Sequence, residues 1–502
     1  MKAKRALERA RREDLALTFD DVRLQTNYSE VMPDDVNLET RFSRNVGLKI
    51  PIVSAAMDTV TEYELAIELA KLGGIGVIHR GLSIKDQASQ VARVKHHLNA
   101  LIERPIFVYD DETISAILQR KEQKKYKFHS FPVVSRKDSG LVGIITGNDF
   151  EFCIHNSQLA KEIMTAKPLT APEGTTLDAA YDIMIGEKKK SLPLVNEKGE
   201  LCGMYVLTDV KRIKTRSAET YNVDRRNQLR VAAAVGIGEE ALERAGELVR
   251  NNVDVIVIDT AHGDSIAVTE TLKRIKEKYS VDVVVGNISV GNSALRLAEA
   301  GADGIKVGQG PGSICTTRRV AGIGRPQVSA VYDCAMAIQK KSYDIPICAD
   351  GGITSSGDIT VAIGAGAYCV MMGSALAGTD ESPGKKVFAD GRAWKSYRGM
   401  GSIGAMEDSK SSRERYLQTR TGKNQLISEG VEGLVPFKGS LSDVVFQYIG
   451  GLRRGMGYVG AGTIAELRDK GQFDRITNAG IVESHPHDVK ITVEPPNYEV
   501  RD

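Results

Sequence analysis

One cysteine stands where this sequence could carry out covalent chemistry. Cys315 lies in the stretch GQGPGSICTTRR, residues 308–319, directly after three glycines at alternate positions. Glycine is common where a backbone bends sharply or comes close to a ligand. A thiol in such a setting can be a small buried group, a metal ligand or a nucleophile. The helices and strands around Cys315 determine which of these three roles the thiol can have.

The other cysteines give no sign of disulfides or structural metal. None of the six forms a CxxC pair, and no histidine cluster has zinc spacing. We therefore expect reduced thiols. A buried structural role is the expectation for the remaining five, which are Cys153, Cys202, Cys334, Cys348 and Cys369.

Eight short apolar runs rich in β-branched residues recur along the chain. They start at Ile50, Gly74, Leu229, Val253, Val281, Ala302, Ile345 and Ala367. Continuous apolar runs are typical of parallel strands buried on both faces. Amphipathic segments such as TEYELAIELAKLGG lie between most of them. The alternation predicts an α/β fold, a (β/α)₈ TIM barrel.

A long insertion with an internal repeat separates the second and third runs. HSFPVV from His129 precedes GLVGIITGNDFEF, and KSLPLV from Lys190 precedes ELCGMYVLTDVKRI. This resembles a tandem pair of CBS modules, which dimerise and often bind adenine nucleotides. The resemblance implies ribose contacts by Asp149 and Asp209, while a pair that only mediates assembly is the alternative.

The insertion sets the predicted domain boundaries. We assign residues 1–103 and 214–502 to the barrel and residues 104–213 to the CBS pair, divided near 160 into 104–160 and 161–213. Insertion into a surface loop of a barrel is tolerated because the ends of such a loop lie close together.

The carboxyl ends of the predicted strands carry the candidate site, as is usual in such barrels. DGGI and MGSA, after the seventh and eighth strands, are glycine-rich turns whose N–H groups could approach a phosphate. Asp350 could accept hydrogen bonds from two ribose hydroxyls, and Ser313 could add a hydroxyl. These residues predict a nucleoside monophosphate site. A P-loop or a strand-linked GxGxxG is absent from the sequence, so a dinucleotide would bind by another route.

A long polar segment, residues 397–439, is glycine-rich at both ends. Loops of this size in compact domains are usually functional or disordered. We predict a mobile flap over about residues 401–437, with its glycines as hinges.

Composition excludes some partners. Lysine plus arginine (67) and aspartate plus glutamate (65) leave a net charge of +2, which gives no case for nucleic acid or a membrane surface. No apolar run reaches the length of about 18 residues that a membrane helix needs. The charged N-terminal stretch lacks the apolar core of a signal peptide. We expect a cytoplasmic protein.

Several motifs together resemble the inosine 5′-monophosphate (IMP) dehydrogenase family from about Leu17 onward. They are GSICTTR, IPIVSAAMDTVTE, GGIGVIHR, DGGI, YRGMGSIGAM, ERY and SEGVEG. The resemblance implies oxidation of IMP to xanthosine 5′-monophosphate (XMP) with NAD⁺, the rate-controlling step of guanine nucleotide synthesis. It also implies a homotetramer, with an octamer through CBS contacts as an alternative, and an adenine or guanine nucleotide at the CBS pair.

The resemblance implies a covalent mechanism centred on Cys315. The thiolate would attack C2 of the hypoxanthine ring, and a water would later hydrolyse the thioimidate. A flap dyad of Arg415 and Tyr416 would activate that water, Thr317 would hold it, and Glu429 would be a second proton acceptor. Arginine is almost always protonated, so a solvated flap charge is the alternative for Arg415 alone. Arg415 and Glu429 both stay open as the dominant base.

The resemblance also implies the binding residues. The substrate set is Met57, Ser313, Asp350, Gly351, Gly352, Gly373, Ser374, Tyr397, Gly399, Met400, Gly401 and Glu429. The NAD⁺ set is Asp259, Thr260, Asn287, Gly308 and Gly310. A monovalent cation, normally K⁺, would bind carbonyls of Gly310, Gly312 and Cys315, with Glu483, Ser484 and His485 supplied by a neighbouring subunit.

Three other functions compete with this one. GMP reductase, which deaminates GMP with NADPH, shares the barrel, the cysteine loop and the purine site but lacks the Arg-Tyr dyad. An FMN-dependent oxidoreductase shares the phosphate turns but needs neither Cys315 nor the flap. A non-catalytic CBS sensor on an inactive barrel is the third. Lys306 departs from the pattern, because arginine is familiar there in some members.

Overall fold

The computed structural model describes two compact units. It covers residues 1–97, 101–102, 105–124, 126, 128–214, 219–418, 425–493 and 495–498. The first unit is Met1–His97 with Thr220–Asp502, and the second is Leu98–Glu219. The predicted boundary at residues 103–104 and residues 419–424 of the predicted flap lie outside the described residues.

Eight parallel strands close the barrel of the first unit. They are β1 (Ile52–Ser54), β2 (Ile75–Ile78), β3 (Val231–Val235), β4 (Val255–Asp259), β5 (Asp282–Ile288), β6 (Gly304–Val307), β7 (Ile347–Asp350) and β8 (Cys369–Met372). Each pairs with its chain neighbour, β8 pairs with β1, and β2 pairs directly with β3 across the insertion. The predicted (β/α)₈ barrel is confirmed, and every predicted apolar run contributes its strand.

Helices surround the barrel strands. After β1 to β7 they are Tyr63–Lys71, Ile84–Lys95, Gly238–Arg250, Ile266–Lys278, Gly291–Glu299, Gln327–Lys340 and Ser356–Gly364. The short helix Ser374–Ala377 follows β8, and Leu441–Val459 and Ile464–Lys470 come later in the chain. Serine side chains begin several of them: Ser83 accepts the Asp86 N–H, which satisfies a donor that the first helical turn leaves unpaired.

The barrel interior is filled with apolar side chains. Val53, Val77, Val257, Cys348 and Met371 belong to one buried cluster. Met57 packs on this cluster from just beyond β1, where the strands end. The barrel is therefore a packed core rather than a pore, and a ligand has to bind at its end.

The N-terminal segment docks against the barrel. The helix Arg5–Arg12 begins after Lys4, whose side chain is fully buried. Nζ of Lys4 donates to the carbonyl oxygens of Arg468 (2.8 Å) and Asp469 (3.1 Å). Further along, the short 3₁₀ turn Phe19–Asp21 reaches the carboxyl ends of the strands, where Phe19 packs against Gly352.

The segment that the sequence predicts as a loop is largely ordered structure. The strand Glu432–Pro436 pairs with Arg392–Arg398, which also pairs with Lys386–Ala389. Two short helices, Ile403–Asp408 and Lys410–Arg415, lie between the strands. The description as a loop is wrong for these residues. The strand pairs with a segment distant in sequence, and the helices are short and polar, so neither leaves a periodic apolar pattern in the sequence.

The second unit contains two four-stranded sheets. One consists of Thr165–Ala166, Leu141–Ile145, Phe131–Val134 and Val108–Tyr109, and the other of Ala171–Pro172, Ser191–Val195, Leu201–Val206 and Leu101–Ile102. Its helices are Ile114–Gln123, Gly147–Glu151, Ala160–Ile163, Leu177–Gly186 and Leu207–Lys214. A strand–helix–strand–strand order thus occurs twice, matching the sequence repeat. Its identity as a CBS pair stays a prediction.

Among the residues that the structure describes, no helix is both long enough and apolar enough to cross a membrane.

Candidate active site

The thiol of Cys315 lies where the loop after β6 meets the strand-like end of the flap. The N–H of Cys315 donates to the Gly312 carbonyl at 3.0 Å, and Cys315 forms an isolated antiparallel bridge with Gly430. Its Sγ donates to Oγ1 of Thr317 at 3.2 Å. The N–H of Thr316 donates to the carbonyl of Glu429 at 3.0 Å. Loop and flap therefore fix the thiol from two sides while its side chain stays partly exposed.

A cavity of about 260 Å³ opens beside this thiol at the carboxyl ends of the strands. Most of the predicted substrate residues line it. They are Met57, Ser313, Asp350, Gly351, Gly352, Gly373, Ser374, Tyr397, Gly399, Met400 and Glu429. Cys315, Arg415, Tyr416, Asn287, Gly308, Gly310 and Gly312 line the same cavity. One chamber thus collects residues from the ends of five barrel strands, β1 and β5 to β8, and from the flap.

The turn after β7 needs glycine at two successive positions. Gly351 has φ +89° and Gly352 has φ +82°, a left-handed backbone that other residues rarely adopt. Pro311 and Phe19 would crowd a Cβ at Gly352. The turn therefore exposes its backbone to the cavity without side chains in between.

Asp350 is held rigidly at the end of β7. Oδ2 of Asp350 accepts from Nζ of Lys306 at 2.5 Å and from Nδ2 of Asn287 at 2.9 Å. Nδ2 of Asn287 also donates to the Gly308 carbonyl at 2.7 Å, and Oδ1 of Asn287 accepts from Lys306. Lys306 is almost fully buried. A charged donor and an amide therefore orient the carboxylate toward the cavity.

The same lysine joins Asp350 to a second buried carboxylate. Nζ of Lys306 lies 2.9 Å from Oδ1 of Asp259, and Arg415 forms an ion pair with Oδ2 of Asp259. The resulting row is Arg415, Asp259, Lys306 and Asp350, with alternating charge. Buried charges are stable only when paired, so an uncharged residue in place of Lys306 would destabilise the two carboxylates beside it.

Asp259 and Thr260 lie behind the flap and do not line the cavity. Thr260 Oγ1 and its N–H both donate to the Gly286 carbonyl, at 3.0 and 2.9 Å. Asp259 is buried beneath Arg415. A ligand could contact Asp259 only after Arg415 moves away.

Tyr416 packs closely against the start of the flap. A Cβ at Gly401 would lie 2.6 to 2.9 Å from three carbons of the Tyr416 ring, closer than such atoms approach. Gly401 does not line the cavity but makes room for Tyr416, which does. Burial raises the pKa of the Tyr416 hydroxyl, and the nearby charge of Arg415 acts against this. The hydroxyl therefore keeps its proton at neutral pH.

Tyr397 and Met57 meet on the other side of the cavity. The Tyr397 hydroxyl lies 3.8 Å from Sδ of Met57, and both atoms would crowd a Cβ at Gly373. Burial raises the pKa of Tyr397, while a hydrogen bond with Ser313 lowers it in part. A neutral hydroxyl and a thioether thus form an adaptable wall for a flat apolar ring.

The remaining cysteines differ from Cys315. All six are free, and Cys334, Cys348 and Cys369 are buried. Burial raises the pKa of the thiols of Cys334 and Cys348, which therefore stay protonated. Cys315 alone lies in the cavity.

The C-terminal residues predicted for the cation site do not reach the loop of their own chain. Glu483 ends the helix Asn478–Glu483, and Ser484 donates to the Gly480 carbonyl at 2.6 Å. Nδ1 of His485 lies 2.9 Å from the Tyr498 hydroxyl. Their predicted contribution comes from a neighbouring subunit, so it stays a prediction.

Sequence reasoning missed several residues of the site. Thr18, Phe19 and Asp20 line the cavity although they precede β1. Lys306 was noted only as a departure from a family pattern, and its two acidic partners were not foreseen. The signal for Lys306 was available: a lysine inside an apolar strand needs a buried carboxylate partner.

The fold and the site together define a (β/α)₈-barrel enzyme with a free thiol in a cavity at the carboxyl ends of its strands. Residues 16–487 match the family model for the IMP dehydrogenase / GMP reductase domain. The chain belongs to this family.

Curated relatives and a solved structure agree with this assignment. The chain is 50% identical over 488 residues to inosine-5′-monophosphate dehydrogenase from Aquifex aeolicus, covering 96% of this chain and 98% of the relative. It is 46% identical over 487 residues to the enzyme of the same name from Bacillus subtilis, with the same coverage. The crystal structure of GMP reductase from Trypanosoma brucei in complex with guanosine 5′-monophosphate matches with a TM-score of 0.87 and 39% identity, over 95% of this chain and 98% of that one.

Proposed function

We propose that this chain oxidises IMP to XMP with reduction of NAD⁺ through a covalent intermediate on Cys315. The observation that carries the proposal is that Cys315 and the Arg415–Tyr416 dyad line one cavity, with Thr317 hydrogen-bonded to the Cys315 thiol. The relatives that match 96% of this chain and are named IMP dehydrogenase support the same reaction. This arrangement suits formation of a covalent bond to the thiol followed by hydrolysis of that bond, since a hydroxyl lies beside the thiol and the dyad closes the cavity.

IMP would bind with its ribose on Asp350 and its phosphate at the glycine turns. Gly352, Gly373 and Ser374 line the cavity, so their backbone N–H groups would bind the phosphate, and Ser313 would add a hydroxyl. Lys306 and Asn287 hold the Asp350 carboxylate still, which lowers the entropic cost of binding two ribose hydroxyls. The base would lie against Met57 and Tyr397 and near Met400, with Gly399, Gly401 and Glu429 around it.

The covalent step begins at Cys315. Its thiolate adds to C2 of the purine ring, and the C2–H bonding pair leaves as hydride, so that C2 is oxidised and a C2–S thioimidate remains. NAD⁺, when bound, accepts this hydride. Covalent catalysis divides one difficult substitution into two easier steps. The thiolate serves both steps because it is a strong nucleophile and a good leaving group.

Hydrolysis completes the cycle. Water adds to C2, one proton passes to a base of the flap, the C2–S bond breaks, and XMP and the thiolate are released. Thr317 would hold the water because its Oγ1 lies next to Sγ. Arg415 with Tyr416 would take the proton, and Glu429 is the second acceptor. The neutral Tyr416 hydroxyl can donate or accept a hydrogen bond at this point.

The residues proposed for NAD⁺ fit a ligand with a ribose. Asn287, Gly308 and Gly310 line the cavity, and Asp259 carries a buried carboxylate directly beyond them. Thr260 adjoins Asp259. Asp259 would hold hydroxyls of the nicotinamide ribose once Arg415 has left it, and Arg415 would return to its place for hydrolysis.

A monovalent cation, K⁺, would stabilise the cysteine loop through carbonyls of Gly310, Gly312 and Cys315. The Gly312 carbonyl accepts the Cys315 N–H at 3.0 Å, so a cation there would use the second lone pair of that oxygen. Carbonyl oxygens suit a hard cation. Glu483, Ser484 and His485 of a neighbouring subunit would complete the site in a homotetramer, with an octamer as the alternative.

Nucleotide binding by the second unit and the location of the protein in the cell also stay predictions. Asp149 caps the helix Gly147–Glu151, because its Oδ2 accepts from N and Oγ1 of Thr146 at 2.7 and 2.8 Å. A ribose at Asp149 would therefore compete with that cap or use Oδ1. We predict an adenine or guanine nucleotide at Asp149 and Asp209, and a cytoplasmic location.

GMP reductase activity is the second candidate, because the family model and the Trypanosoma brucei structure include it. The dyad Arg415–Tyr416 at the cavity favours hydrolysis, which only the dehydrogenase needs. The purified chain should produce NADH from IMP and NAD⁺. Consumption of NADPH with GMP, without oxidation of IMP, would overturn the proposal.

A further inference from the structure

An ion pair outside the cavity ties the flap to the barrel. Arg80 follows β2, and Nη1 of Arg80 donates to Oε2 of Glu414 at 3.1 Å. The Arg80 side chain is 7% exposed and that of Glu414 is 17% exposed. Glu414 lies in the last turn of the helix Lys410–Arg415 and directly precedes Arg415. One half of the pair therefore belongs to the rigid barrel and the other to the flap.

The barrel leaves room for this pair at one glycine. Gly236 follows β3, and a Cβ there would overlap Nη1 of Arg80 and lie 3.5 Å from Oε2 of Glu414. Its backbone does not have a positive φ, so conformation does not require glycine. Close approach of the ion pair is therefore the reason for glycine at this position.

Glu414 also offsets the electrostatic repulsion between Arg80 and Arg415. Burial and the charge of Arg415 lower the pKa of Arg80 to about 10, and Glu414 opposes this shift. The two guanidinium groups thus lie close enough to repel each other. Without Glu414, Arg80 would push Arg415 away from the barrel, because buried like charges interact strongly.

Arg415 itself is held by the barrel at two further points. Its side chain pairs with Asp259, and its carbonyl accepts the N–H of Ala261 at 3.2 Å. Both contacts come from residues at or just after the end of β4. Loss of the Arg80–Glu414 contact would leave the helix end fixed from one side only.

We propose that Arg80 and Glu414 form a latch that positions Arg415 in the cavity, so that the pair controls hydrolysis of the thioimidate but not its formation. This inference rests on the proposed function. Neither residue lines the cavity, so both are positioning residues. The contact stabilises only the state in which the flap helix lies on the barrel, and hydrolysis is the step that needs Arg415 there.

Rapid mixing of the full chain with IMP and NAD⁺ separates the two steps. The first turnover gives a burst of NADH, and the steady rate that follows reports hydrolysis when that step limits. Glu414→Gln keeps the side-chain shape but removes the charge, and Arg80→Met removes the guanidinium. We expect a burst rate within about twofold of the unaltered chain and a steady rate about tenfold lower, a difference of 1.4 kcal/mol.

Two further variants sharpen the test. Gly236→Ala disturbs the ion pair from the opposite side, and Arg80→Lys, which keeps a charge, should recover part of the steady rate. Lys410→Gln is the matched control: Lys410 also approaches Glu414, at 3.9 Å, but its side chain is 78% exposed. We expect it to behave as the unaltered chain.

The outcomes distinguish the two proposals. A loss of burst and steady rate in equal proportion would show a merely structural role and overturn the latch, as would unchanged rates in both Glu414→Gln and Arg80→Met. Absence of any IMP-dependent NADH formation by the unaltered chain would instead overturn the proposed function, and the latch with it.

Discussion

Sγ of Cys315 donates a hydrogen bond to Oγ1 of Thr317 across 3.2 Å, which places a hydroxyl beside the nucleophile. A water held by that hydroxyl would lie next to the carbon that the sulfur attacks. In the proposed mechanism, the two steps would therefore use neighbouring atoms of one short loop.

Replacement of Cys315 by alanine should abolish catalysis without abolishing substrate binding. We expect NADH formation to fall by about a thousandfold or more, because the covalent route is lost. The affinity for IMP, measured by calorimetry, should change little, since Asp350 and the glycine turns remain. Cys153→Ser in the second unit is the control and should keep full activity. Sustained turnover by the alanine variant would contradict the covalent mechanism.

Arg415→Ala should slow hydrolysis and leave the first hydride transfer intact. A general base contributes about 10²- to 10⁴-fold, so the steady rate should fall by that factor after a normal burst. Solvent hydroxide would then replace the base, and the residual rate should rise about tenfold per pH unit. A pH–rate profile of this variant beside Glu429→Gln identifies the dominant base. A larger loss in Glu429→Gln would assign that role to Glu429.

Gly401→Ala should disturb Tyr416 rather than IMP. The added Cβ would overlap the aromatic ring, so that the ring and the dyad have to shift. Misplacement of a catalytic group by about 1 Å can cost a hundredfold, and we expect a loss of ten- to a hundredfold in kcat. Gly433→Ala, where a Cβ would meet nothing within 4 Å, is the matched control. Equal activities of the two variants would refute this role of Gly401.

Lys306→Met should weaken both stability and substrate binding. Removing the lysine leaves Asp259 and Asp350 buried without their shared partner, which typically costs about 3–5 kcal/mol in the free energy of unfolding. Chemical denaturation measures that change, and titration should show at least about tenfold weaker IMP binding, or 1.4 kcal/mol. The exposed Lys273 provides the control Lys273→Met. Unchanged affinity for IMP would show that Lys306 does not orient Asp350.

The buried Lys4 predicts a dependence of stability on alkaline pH. Burial lowers the pKa of Lys4 from 10.5 to about 8, so the folded chain releases this proton at a lower pH than the unfolded chain. The unfolded state binds more protons between these values, and the contribution of Lys4 to stability therefore rises with pH from about 8 to 10.5. It is lost again as pH falls through 8.

The difference between the unaltered chain and Lys4→Met isolates this effect. We expect the unaltered chain to gain about 3 kcal/mol relative to the variant across that window, as 1.36 kcal/mol per pH unit implies. Denaturation at several pH values measures the gain, and Lys85→Met, at an exposed lysine, serves as control. Parallel stability curves for Lys4→Met and the unaltered chain would contradict the prediction.

The barrel was predictable because its strands are buried on both faces and so appear as uninterrupted apolar runs. The candidate site was predictable to the extent that its residues lie at the carboxyl ends of those strands, as Asp350 and Asn287 do. The flap helices were not predictable, since short polar segments carry no periodic signal. Asp20 and Arg80 were missed for another reason: their positions at the site depend on packing between segments far apart in sequence.

The direct pairing of β2 with β3 has a consequence for the history of this architecture. Gly76 and Val77 register with Val231 and Ala232, although the entire second unit separates them along the chain. Every ladder of the barrel is complete within the first unit. A lineage could therefore gain, lose or exchange the second unit in one genetic event, and any control that the unit exerts could evolve independently of the chemistry.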